Sequence, residues 1–167
     1  MTNQYHATPY DLSAKGFYFT SFNEYSEKVK SHKNKYGEHV EEYEIQFIDG
    51  DKSHLFSALG INQANLQEWF EAYEDLDKEN TIKAIYLAED MGFDTNVIPA
   101  LLDDVCVFEG SVEEYAEDYI EETGLLSQIP ENLQCYFDIQ AFARDLLISG
   151  EINEISVNGT SYVVWGF

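Results

Sequence analysis

Fourteen carboxylates fall between Ala84 and Ala143, and no Lys, Arg or His lies among them. They are densest between Ser111 and Gly124, where Glu113, Glu114, Glu117, Asp118, Glu121 and Glu122 recur at spacings of one, three and four. Carboxylates at such spacings can transfer protons, bind a metal or present a fixed anionic surface. Proton transfer needs two carboxyl groups in unlike environments, one of them desolvated so that it holds its proton near neutrality. These six share one wet face, which argues against a carboxylate-using hydrolase. Metal binding fares no better. No D-x-[DN]-x-[DN]-G loop occurs, His6, His32, His39 and His54 show no H-x-x-x-H spacing, and Cys106 and Cys135 form no C-x-x-C. A phosphate-binding loop, a G-x-G-x-x-G turn and a nucleophile elbow are likewise missing. The expectation is a protein that is not an enzyme, with no catalytic residue, no metal and no cofactor, in which the carboxylates act by their field.

An element must hold that field in place. Ser111 stands three residues before Glu114, the capping-box spacing, and Gly124 stands where a helix accepts a left-handed residue, so residues 112–123 are predicted to be helical. At 100° per residue Val112, Tyr115, Ala116, Tyr119 and Ile120 share one side, and the six acids fill the other. Every i, i+4 pair on that face is like-charged: Glu113/Glu117, Glu114/Asp118, Glu117/Glu121 and Asp118/Glu122. Such pairs together cost roughly 1–2 kcal/mol, and Glu121 and Glu122 also meet the negative end of the helix dipole. Lysine would suit the helix better at any of these positions, so the pattern answers to something other than helix stability.

The whole chain shares this bias. Its 167 residues carry a formal charge of -23, and its pI is about 4.1. A hydrophobic content of 44% with 15% aromatics is enough for a core, so the charge does not imply disorder. The field excludes a protein that seeks nucleic acid and favours basic protein partners. Eight lysines to one arginine do not resemble halophilic adaptation. The two cysteines sit in apolar runs, beside Val105 and Val107 and beside Tyr136 and Phe137, and are expected to be reduced and buried in a cytoplasmic protein. No signal peptide or anchor is visible, and no apolar run approaches the roughly 20 residues that span a bilayer.

The fold class read from the pattern is α+β, in three consecutive small domains. Residues 1–60 form a small sheet plus helix: an aromatic strand at Gly16–Thr20, a helix from Phe22 to about Lys35 stopped by Gly37, and an alternating strand at Tyr43–Ile48. The helix carries Lys28, Lys30, Lys33 and Lys35, the chain's one basic cluster, read as an internal counterweight or solvated surface rather than a nucleic-acid site. Residues 61–103 form a helical middle, with Leu66, Trp69, Phe70 and Tyr73 on one helix, Ile82, Ile85, Tyr86 and Ala88 on a second, and a short helix at Val97–Leu102 with Pro99 in its first turn. Residues 104–167 form a second small sheet plus helices: a strand at Val105–Phe108, the acidic helix, a connector containing Pro130, a helix at Ile139–Ile148 between Asp138 and Gly150, and a hairpin turning at Asn158-Gly159.

At Tyr119–Gly124, Pro130, Leu133-Gln134, Asp138, Gln140-Ala141, Arg144-Asp145-Leu146 and Ser149-Gly150 the chain resembles the ArdA-type antirestriction proteins, as do its length, its acidity and the opening segment Phe17–Tyr25. The resemblance implies an elongated, curved chain of three small domains, a homodimer joined through the C-terminal domain, carried by a mobile genetic element. It further implies mimicry of B-form DNA and occupation of the DNA groove of a type I restriction-modification enzyme, at its methyltransferase and specificity core. The family's antirestriction motif would fall within about Asp103–Glu122. Asp103, Asp104, Glu109, Glu113, Glu114, Glu117, Asp118, Glu121 and Glu122 are then the DNA-mimic surface. Tyr115 and Tyr119 are either the dimer contact or core of their own domain. The charge agrees: duplex DNA carries one charge per about 1.7 Å, so a dimer equals the charge of roughly 80 Å of duplex. The rival readings are an acidic module for another basic DNA-binding protein and the hydrolase already weighed.

Overall fold

A computed structural model describes residues 2–166. The protein is mixed α+β, with two three-stranded antiparallel sheets and seven α-helices among the described residues. It divides into two compact units, the first ending at Pro99 and the second beginning at Ala100. No helix among the described residues is long and apolar enough to cross a membrane.

The first unit is built on a strand that the polar composition of the N-terminus conceals. β1 (Gln4–Pro9) is the central strand, flanked by β2 (Phe17–Phe19) and β3 (Tyr43–Asp49), with Tyr5 paired to Phe19 on one side and Phe47 on the other. Tyr5, Ala7 and Pro9 point inward in strict alternation while Gln4 is exposed. The Tyr5 ring lies 5.4 Å from Phe19, 5.3 Å from Phe47 and 5.2 Å from Phe70. Its hydroxyl accepts from the Trp69 indole at 2.8 Å and donates to the Glu74 carboxylate at 2.9 Å. Trp69 and Tyr73 come from helix α3 (Leu66–Glu68) and the π-helical turn Trp69–Tyr73 that extends it, where the Glu74 amide reaches back five residues to the Trp69 carbonyl. The wider turn stacks the two rings, 14° from parallel.

One expectation for this unit is corrected, and two of its elements carry no clear signal in the residue pattern. Helix α1 (Phe22–Ser31) ends four residues earlier than predicted. Asn34 accounts for the difference: its side-chain oxygen accepts from the amides of Tyr36 and Glu38, at 2.9 and 3.0 Å, and Lys33 bridges to His39, so a closed turn outcompetes another helical turn. Gly37, with φ of 84°, serves that turn rather than stopping the helix. Helix α2 (Ser53–Ala58) was not anticipated, because its cap position, Lys52, makes no side-chain capping bond. The central strand was missed as well. The second long helix of the middle segment, α4 (Lys78–Glu89), carries Ile82, Ile85, Tyr86 and Ala88 as read, and it opens on Asp77, whose side chain accepts from the Asn80 amide at 2.8 Å.

Burial of the tyrosines makes this unit sensitive to alkali. Desolvation raises the Tyr5 and Tyr73 hydroxyls well above their ordinary value of 10.0 and pushes Tyr25, whose buried hydroxyl has no hydrogen-bond partner, up to about 12. Between pH 10 and 12 the unfolded chain loses protons that the folded chain keeps. Their contribution is complete below pH 10 and is lost as pH rises through the folded values. The urea midpoint should therefore fall steadily from pH 10 to 12, and Tyr25→Phe should flatten that fall.

After α5 (Ile98–Leu101), the second unit places β6 (Thr160–Trp165) between β4 (Cys106–Glu109) and β5 (Asn153–Val157). The β5–β6 turn is the one its residues demand, with Asn158 at φ 51° and Gly159 at φ 81°. Helices α6 (Val112–Thr123) and α7 (Ile139–Ser149) close over a cluster of Val112, Ala116, Ala143, Leu146, Ile152 and Val163. Cys106 and Cys135 are free, as expected, but both are exposed rather than buried. Cys106 lies on an edge strand, and Cys135 on the 3-10 turn Glu131–Tyr136, which buries none of its residues.

Candidate functional site

The acidic helix is built at both ends by local chemistry. The Ser111 hydroxyl accepts from the Glu114 amide at 3.2 Å, and the Glu114 carboxylate accepts in return from the Ser111 amide at 2.7 Å. Gly110, at φ 151°, leaves room for this: a Cβ there would lie 2.8 Å from the Glu114 carboxylate and 2.7 Å from the Phe108 ring. Gly124 ends the helix at φ 63°, its amide returning to the carbonyls of Ile120 and Glu121. Val112, Ala116 and Ile120 are buried, so the helix cannot roll, and its opposite face is held toward solvent.

All nine carboxylates singled out from the sequence are exposed: Asp103 and Asp104 on the 3-10 turn Leu102–Asp104, Glu109 at the end of β4, and the six on α6. Glu114 is partly committed to the cap; the other five on the helix form two rows along its length. Elsewhere the chain pairs its helical acids. Glu24 meets Lys28 at 2.6 Å, Glu27 meets Lys30 at 2.8 Å and Glu79 meets Lys83 at 2.8 Å. From residue 100 onward fourteen carboxylates stand against one cation, Arg144. Arg144 lies on α7, with its Nε 4.0 Å from Asp145, and lines a cleft of about 310 Å³ together with Glu113 and Glu154. Reading along the helix alone missed this neighbour, because the two residues are thirty-one positions apart.

Tyr115 packs within its own unit, 5.6 Å from Phe108 and 4.9 Å from Trp165 between ring centres. Burial raises its hydroxyl's pKa, and Tyr119, Cys106, Asp118 and Glu122 push in the same direction. The Tyr119 ring lies 6.0 Å from that of Phe142, tilted by 36°, and the residue is 39% exposed.

The like-charged rows make a testable trade. Glu117→Lys turns three repulsive neighbours, Glu113, Glu114 and Glu121, into attractive ones and should stabilise the unit by about 0.5–1 kcal/mol. Thermal unfolding of the variant checks this, with a higher midpoint expected.

The arrangement offers a rigid, solvent-facing field of negative charge. Among the described residues no group of three or more His, Cys, Asp and Glu is placed to hold a metal ion. No curated protein matches the chain. The family of antirestriction proteins called ArdA matches it over residues 11–161, which covers most of both units and the whole acidic helix. By that match over most of its length, the chain belongs to the ArdA antirestriction protein family.

Proposed function

We propose that this protein blocks restriction by occupying the DNA groove of a type I restriction-modification enzyme, with carboxylates standing where duplex DNA presents phosphates. The observation that carries the reading is the uninterrupted exposed acidic face of α6, held rigid by its capping box and buried stripe. Residues four apart on a helix are separated by about 6 Å along its axis, close to the spacing of neighbouring phosphates. Cations in a DNA-binding groove meet this array as they meet DNA, and displacement of their bound anions drives association. The protein then acts stoichiometrically, without turnover or cofactor.

In this reading Asp103, Asp104 and Glu109 continue the surface that begins on α6, and the segments 1–60, 61–103 and 104–167 act as successive domains of a cytoplasmic homodimer. Of the two tyrosines considered for the dimer contact, Tyr119 is the better placed, since its ring is partly exposed while Tyr115 is engaged with Phe108 and Trp165.

The test is a titration into the methyltransferase and specificity core of a type I enzyme bound to labelled DNA. Release of DNA at a fixed stoichiometry, with no change in the released DNA, is the expected result. Retention of DNA at every excess would overturn the proposal and redirect attention to another basic partner.

A further inference from the structure

Beside the acidic face lies a feature that a pure phosphate mimic does not need. Glu117 and Glu121 border a groove of about 360 Å³ whose apolar lining comes from Ile120 on α6, Leu126 on the following 3-10 turn and Ile139 at the start of α7, with Gly124 and Ser127 completing it. Ile120 is buried, and Leu126 and Ile139 are half-buried. Among the described residues no Lys, Arg or His lines the groove. Its charge selects its occupant. An acidic or neutral segment would meet Glu117 and Glu121 without compensation, and a second copy of this unit would bring fourteen more carboxylates and a single arginine. A segment with an aliphatic or aromatic side chain flanked by Lys or Arg satisfies both the apolar walls and the acidic rim.

We propose that this groove takes an apolar side chain from a cationic amphipathic segment of the partner protein, whose flanking Lys or Arg reaches Glu117 and Glu121. The proposal rests on the reading of α6 as the partner-binding surface and adds to it a contact that DNA does not make. Phosphates supply attraction that salt screens. An apolar anchor in a desolvated groove supplies attraction that salt leaves in place.

Two synthetic helical peptides of equal positive charge test it on the full chain, one with leucines along a single face and one with those leucines replaced by serine. At about 300 mM salt the leucine peptide should bind about tenfold tighter or better, the worth of burying one such side chain, and should shift the methyl resonances of Ile120, Leu126 and Ile139. Leu126→Ala should remove that preference while leaving low-salt binding of the serine peptide unchanged, and Glu117→Gln with Glu121→Gln should weaken both peptides. Equal affinities for the two peptides, or methyl shifts confined to other sites, would overturn the groove. So would loss of leucine-peptide binding as protein concentration rises, since a second copy would then occupy the groove. If the serine peptide still binds at low salt and loses affinity when Glu113, Glu117 and Glu121 are neutralised, the charge reading survives the groove's failure. If neither peptide binds at any salt, both fail together.

Discussion

Replacing Glu113, Glu117 and Glu121 together with lysine is expected to weaken displacement of DNA from a type I methyltransferase core by about 10- to 1,000-fold, whereas each single replacement by glutamine costs no more than a few-fold. The asymmetry follows from exposure. All three carboxylates are solvated, so each contributes about 0.2–1 kcal/mol to any one ion pair, and a reversal counts twice because attraction becomes repulsion. The fold should tolerate the change. None of the three belongs to the capping box, which uses Ser111 and Glu114, and none contributes to the buried stripe of Val112, Ala116 and Ile120. New lysines at 117 and 121 would also stand three residues after Glu114 and Asp118, a favourable spacing on a helix. Circular dichroism of the variant should match the parent, and competition with labelled DNA gives the affinity. Complete loss of inhibition from one glutamine in a folded protein would instead point to catalysis or a metal. An unchanged affinity in the triple variant would remove α6 from the interface.

Salt should have the second large effect. Affinity for the same core is expected to fall by about two to four orders of magnitude between roughly 50 and 300 mM salt, with a log-log slope shallower than that of the DNA it displaces. Steepness arises because a basic groove releases its bound anions when the carboxylates enter and recovers them when they leave. The protein's own contribution is smaller than DNA's. Its charges are discrete and are interrupted by neutral surface, so they condense fewer counterions than a duplex with one charge every 1.7 Å or so. Measuring both ligands across one salt series separates the two slopes. An affinity that stays flat over that range would mean that aromatic and aliphatic surface makes the contact, and phosphate mimicry would have to be abandoned.

What the sequence determined by itself is whatever depends on near neighbours in the chain. Ser111 and Glu114 close their cap, Gly124 and Gly150 end their helices, Asp138 caps α7 and Asn158-Gly159 turns the hairpin, because each of these needs only residues within a few positions. The acidic face of α6 was legible for the same reason, since helical periodicity converts spacing directly into direction. Tertiary structure decided the rest. β1 is polar enough to pass for a tail, and it becomes a central strand only because Tyr5 meets Trp69, sixty-four residues away, and because β2 and β3 complete its backbone hydrogen bonds from both sides. α1 stops at Ser31 because the Asn34 side chain closes a turn with amides beyond it. Cys106 looked buried among valines, yet an edge strand leaves it in solvent. The same holds for the site itself: Arg144 joins Glu113 in one cleft, and Ile120, Leu126 and Ile139 line one groove, only because α7 packs against α6. Local chemistry therefore fixed where the charges point, and long-range packing fixed what stands beside them.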